Sequence, residues 1–168
     1  MRAVCVAFSG LLAACAGGPS TFGGTLAEYS PANALFPVGF SETLVGENHY
    51  QVQASGNAVS PFERVEKIAI ARAAELGIGL KAGYFKVTSS TRDVVCTKKK
   101  PGYKVPDTAG AARPKVTLDV IYAVTATDPE FQNAKDTFGR LSEELKAESY
   151  PPETLQAAAD SLKAKCGV

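Results

Sequence analysis

The chain of 168 residues has no tryptophan, one methionine and one histidine, and only 8% of it is aromatic. Each shortage removes a class of chemistry. The lone histidine, His49, cannot by itself build the set of His and Cys ligands that a zinc site needs, so no metal is expected. The chain also lacks Gly-x-Ser-x-Gly, His-Glu-x-x-His and a glycine-rich phosphate loop followed by Lys-Ser or Lys-Thr. No cofactor and no catalytic residue are therefore expected. His49 alternates with apolar neighbours on its strand and reads as a solvated hairpin residue rather than a general base. The carboxylate pairs Glu63/Glu66 and Glu143/Glu144 fit helix starts and solvated helix faces better than acid–base work. Charge of one sign is missing too. Without residues 1–14, 18 Lys and Arg less Arg2 leaves 17, against 17 Asp and Glu. A nucleic-acid binder would carry a basic excess, so no nucleic-acid partner is expected.

What is present begins at the first residues. Arg2 precedes Ala3 to Ala14, which are almost all apolar or small. A charged start, an apolar middle and small residues at the cut form a secretory signal. This run is about 12 residues, short of the roughly 20 a spanning helix needs. Leu12-Ala13-Ala14-Cys15 resembles the lipobox of bacterial lipoproteins, in which the cysteine thiol takes a diacylglycerol and the preceding peptide is removed. The resemblance implies lipidation at Cys15 and a membrane attachment resting on buried acyl chain, about 0.8 kcal/mol per CH₂. Ala16, where such proteins carry Asp when kept in the inner membrane, implies the outer membrane facing the periplasm.

The cysteines follow from that layout. Cys5 leaves with the signal and Cys15 carries lipid, so Cys96 and Cys166 remain. In an oxidising compartment they are expected to form one disulfide, the alternative being two buried thiols. Residues 1–14 are thus a signal peptide. Residues 15–37, rich in Gly, Ala, Ser and Pro, read as a lipidated flexible tether, and 38–168 as a single periplasmic domain.

Within the domain, VGFSETL predicts a first strand and GEN a turn. HYQVQASG predicts a second strand, with Tyr50, Val52 and Ala54 on one face and His49, Gln51 and Gln53 on the other. Ser60-Pro61-Phe62-Glu63 reads as a capping box opening a helix whose stripe is Val65, Ile68, Ala69, Arg72, Leu76 and Leu80, with Gly83 as its C-terminal cap. GYFKVTSSTRDVVC reads as a strand, residues 97–114 as a loop, and PKVTLDVIYAVTA as a strand of strict alternation. Asp128 is expected to cap a helix bearing Phe131, Ala134, Phe138, Leu141 and Leu145, which Tyr150-Pro151-Pro152 breaks. A last helix carries Leu155, Ala158, Ala159, Leu162 and Cys166 on one stripe. The expected fold class is α+β: a two-layer sandwich of about four largely antiparallel strands against helices.

The motifs Gly39-Phe40-Ser41-Glu42, Glu47-Asn48, Gly56-Asn57 and Arg72 to Leu76, in that order, resemble a small family of Caulobacter-type proteobacterial lipoproteins. The likeness covers about residues 37 to 95 and the lipobox. It departs at Gly77–Gly83, where the family has a shorter Gln-Gly helix end, which leaves that boundary open. No activity is established for the family, so the resemblance implies location and fold.

Lys98, Lys99, Lys100 and Lys104 form the one local charge concentration. They read first as a solvated loop, and second as a contact for anionic lipid or wall material. Arg72 is placed to reach across to Glu42 or Glu47 as a structural ion pair. The leading expectation is a non-catalytic, envelope-anchored domain for interaction, assembly or sensing, with an envelope protein, lipid or peptidoglycan as partner. The alternative is a small-ligand carrier or an enzyme acting on envelope material, which a pocket of convergent polar groups would favour.

Overall fold

A computed structural model describes residues 26–34, 37–96 and 112–167. β1 (Gly39–Gly46) turns through Glu47 and Asn48 into β2 (His49–Ser55), followed by α1 (Phe62–Gly79) and β3 (Tyr84–Cys96). β4 (Ala112–Ala123), the two-residue β5 (Gln132–Asn133), α2 (Ala134–Ala147) and α3 (Pro152–Cys166) complete the order. Among the described residues the strands form one open antiparallel sheet, β1-β2-β4-β3-β5. β2 and β3 both run antiparallel to β4, which lies between them, so α1 makes a split crossover over one face. The fold is α+β, with a short fifth strand added to the four expected.

Alternation decides which face the helices cover. Val52 and Ala54 of β2 and Val116, Leu118, Val120 and Tyr122 of β4 are all buried beneath α1. From α1 they meet Val65, Ile68 and Ala69, each fully buried. α2 runs antiparallel along α1: Ala134 lies beside Gly77, and the Leu145 carbonyl accepts from Arg64. Squeezed between sheet and α2, α1 needs small residues. Ala71, Ala73 and Ala74 have no exposure, and a Cβ on Gly77 would press on Ala134 and Tyr122 at 3.2 Å. The Tyr122 hydroxyl donates to the Ala73 carbonyl at 2.9 Å, tying helix to sheet.

Several boundaries differ from the sequence reading, each for a physical reason. Ser60 does not cap α1 in a capping box; its hydroxyl donates to Asn57 and accepts from the Ala27 amide. The left-handed residue closing α1 is Lys81 (φ 57°), not Gly83, because the Lys81 and Ala82 amides already return to Ile78 and Gly77. β4 starts at Ala112, so Pro114 lies inside a strand. The Pro114 carbonyl accepts from Gly56 just past the end of β2, so its nitrogen faces a side where β2 requires no donor. Asp128 does not cap α2. Its carboxylate accepts from the Glu130 amide and pairs with Lys86, while Asn133 accepts from Asp136 as the N-cap.

The domain also begins earlier than a tether ending at residue 37 would allow. Ala27 is buried, Tyr29 packs on Phe40 with ring centroids 4.7 Å apart, and Ser30 and Ala32 hydrogen-bond along Phe40. Gly39 permits this contact. Its φ of +118° is open to glycine, and a Cβ there would collide with the Ser30 carbonyl.

Candidate functional site

Cys15 and the lysine group Lys98, Lys99, Lys100 and Lys104 lie outside the described residues. Cys96 and Cys166 form a disulfide that closes a loop of sequence separation 70 and holds the end of α3 to the end of β3. Arg72 pairs with Glu42 at 2.7 Å, as its position predicted, and also with Glu75. Its guanidinium lies 4.8 Å from the Phe40 ring centroid, and Tyr29 donates to Glu75. Hydrogen bonding to Glu42 above all holds the Arg72 pKa above its ordinary value. Burial, then the bond to Glu75, pushes the Tyr29 phenol up. Arg72 bonds both Glu42 and Glu75, and Tyr29 bonds Glu75, which suits a clamp between α1, β1 and the N-terminal segment.

His49 lies on the sheet face opposite the helices, 3.9 Å from Asp119, with 38% of its side chain exposed. Its Nε2 has no hydrogen-bond partner, so no hydroxyl or thiol is aligned with it among the described residues. Among those residues no group of three or more His, Cys, Asp and Glu gathers as metal ligands.

The feature that the sequence reading missed is an open cleft of about 550 Å³ at the Gly39 end of the same uncovered sheet face. Residues 32–34 and Pro37 form one wall. Ser41 of β1, Gln53 and Ser55 of β2, and Arg113 and Lys115 of β4 form the floor and the other side. The ladder brings them together. Ser55 pairs with both Gly39 and Lys115, Ser41 pairs with Gln53, and Val95 pairs with Arg113. Arg113 and Lys115 sit two apart on one strand, so both project to this face about 7 Å apart. The wall is there because Gly39 admits the Ser30–Ala32 segment against β1.

The charges here are unusual for this chain. Among the described residues, the Lys and Arg side chains that are not exposed are those of Arg64, Lys67, Arg72, Lys86, Arg113 and Lys115. The first four have carboxylate partners, and Arg113 and Lys115 have none among the described residues. The Nε of Arg113 is buried without a hydrogen-bond partner. Asp93 stands opposite Lys115 in the β3–β4 register but forms no ion pair with it and does not line the cleft. Chemically, the described residues offer the cleft two cations without ion-pair partners, hydroxyls at Ser41 and Ser55 and an amide at Gln53, with no carboxylate among them in its lining.

Among the described residues no helix is long and apolar enough to cross a membrane. Comparison of the chain with protein-family models, curated proteins and solved structures finds no match, so the family likeness stands on its motifs alone.

Proposed function

We propose that the protein is an envelope lipoprotein, anchored by lipid on Cys15 and facing the periplasm, whose domain acts by binding an envelope component. The anchor rests on the charged, apolar and small residues leading to Leu12-Ala13-Ala14-Cys15. The binding role rests on one observation: a cleft whose two cations lack the carboxylate partners that every other non-exposed Lys and Arg among the described residues has. Convergent polar groups in a concave site favour a small ligand over a broad protein surface. Within the envelope reading, a small-ligand carrier or sensor is therefore preferred to a scaffold.

Two measurements test the two halves. In cells given labelled palmitate, the native chain should take up label and fractionate with membranes, and Cys15→Ser should do neither. Label and membrane fractionation undiminished in Cys15→Ser would sink the anchor. A photoreactive residue at Ser55, in the cleft floor, should cross-link an envelope component, whereas one at exposed Ser161 of α3 should not. Identical products from both positions would sink the cleft as binding surface.

A further inference from the structure

We infer that the cleft between residues 32–34 and the β1–β2–β4 face is a phosphate-binding site, with Arg113 and Lys115 as the residues that hold the anion. This deepens the small-ligand reading of the same cleft and does not depend on the lipid anchor.

The argument starts from cost. A guanidinium N–H buried without an acceptor forfeits about 1–3 kcal/mol or more relative to one that is satisfied. The chain avoids that cost at Arg64, where Nε donates to the Ala27 carbonyl at 2.8 Å. At Arg113 it does not. Arg113 lines the cleft, so an oxyanion there gives its guanidinium N–H groups an acceptor to turn to, and those groups match the oxygen spacing of phosphate.

Charge then selects the class of anion. Two cations face the cleft, and among the described residues no carboxylate lines it. A phosphomonoester carries −1.5 to −2 near neutral pH, which matches two cations. A single carboxylate would leave one of them uncompensated. Geometry points the same way. Arg113 and Lys115 approach from β4, while Ser41, Ser55 and Gln53 approach from β1 and β2. Donors spread over two sides suit a tetrahedral group with several acceptor oxygens better than a planar one. At about 550 Å³ the cleft has room for a compact molecule around that group.

The phosphate could be carried by a soluble phosphomonoester or by a lipid headgroup, and the experiment separates these sources. The full chain, purified in uncharged detergent, is titrated with inorganic phosphate and then with glycerol phosphate, following the Nε–Hε resonance of Arg113. A parallel arm measures binding to phosphatidylcholine vesicles with and without phosphatidylglycerol. A saturable shift of the Arg113 resonance is expected, and the phosphate affinity, measured by calorimetry for the native chain and every variant, should weaken roughly ten- to hundredfold in Arg113→Gln and in Lys115→Gln. Lys163→Gln, on exposed α3, should bind as the native chain does. Far-UV dichroism and the urea midpoint confirm that each variant is folded. Glycerol phosphate binding without vesicle binding identifies a soluble ligand; vesicle binding that requires Arg113 identifies a headgroup.

The inference is overturned by any of three results: no saturable shift of the Arg113 resonance, an equal shift with acetate at matched ionic strength, or equal weakening by Lys163→Gln. Should phosphate fail while cross-linking from Ser55 still captures a component, the cleft remains the binding surface and only the ligand class falls.

Discussion

Replacing Arg64 with methionine should release the N-terminal segment from the domain. Arg64 is buried at 6% exposure and donates to the Ala27 carbonyl (2.8 Å), the Leu145 carbonyl (3.1 Å) and Glu148 (2.8 Å). One side chain thus joins the segment before β1, the start of α1 and the end of α2. Methionine keeps an apolar stem of similar length but supplies no donor. Removing one member of a buried ion pair costs about 3–5 kcal/mol. Glu148 keeps Lys67 and Tyr150 as donors, which puts the expected loss near the lower end, about 3 kcal/mol. That is a large share of the roughly 5–15 kcal/mol by which domains are stable. With a urea slope of about 1–3 kcal/mol per molar, the midpoint should fall by at least about 1 M. Hydrogen exchange supplies the local readout. The Ala27 amide bonds to the Ser60 hydroxyl and the Phe40 amide to the Ser30 carbonyl. Both should lose protection in Arg64→Met before the centre of α1 does. A loss below about 1 kcal/mol with Ala27 protection unchanged would refute the reasoning, because the segment would then be held by something other than Arg64.

Reducing the Cys96–Cys166 bond, or replacing both cysteines with serine, should cost about 4 kcal/mol in the chain-entropy account of a loop with separation 70. Urea unfolding with and without reductant measures it, and an unchanged midpoint would contradict the account. Alkaline pH should unfold the protein. Burial first of all raises the phenol pKa of Tyr29, Tyr122 and Tyr150, assisted at Tyr29 and Tyr150 by hydrogen bonds to Glu75 and Glu148. A raised folded value means that this contribution is complete below the ordinary pKa of 10.0 and is lost as pH rises from there through the folded values. Phenolate absorbance for these three should therefore appear together with the loss of far-UV dichroism; ionisation well before unfolding would count against their burial.

Much of the fold was legible because local burial writes itself into local spacing. Tyr122, Val120, Leu118 and Val116 alternate because β4 has one covered face and one uncovered face, and that pattern is readable inside a dozen residues. The turn at Glu47-Asn48 and the break at Pro151-Pro152 were readable for the same reason. The helix starts misled. Ser60 and Asp128 both have the chemistry of a cap, but each is engaged elsewhere: Ser60 by Ala27, 33 residues away, and Asp128 by Lys86, 42 residues away. The residue extra to the β3–β4 ladder, between Val87 and Ser89, was equally hidden. It shifts the register so that Phe85 and Cys96 face the helices although their numbers differ in parity.

The sequence by itself determined the signal-like start, the order of the four longer strands and the three helices, most of the core stripes (Leu80, expected on the α1 stripe, is exposed, and Phe131 precedes α2) and the availability of Cys96 and Cys166 for one bond. Each of these depends on neighbours in the chain or on simple counting. Only the tertiary structure decided that residues 26–34 belong to the domain and that the cations at 113 and 115 stand without counterions beside Ser41, Gln53 and Ser55. The physical reason is that a cleft is made by register and by close approach. Gly39 lets one segment lie against β1, and the β2–β4 ladder sets Ser55 opposite Lys115 across 60 residues of chain. No local window of sequence contains both sides of such a contact.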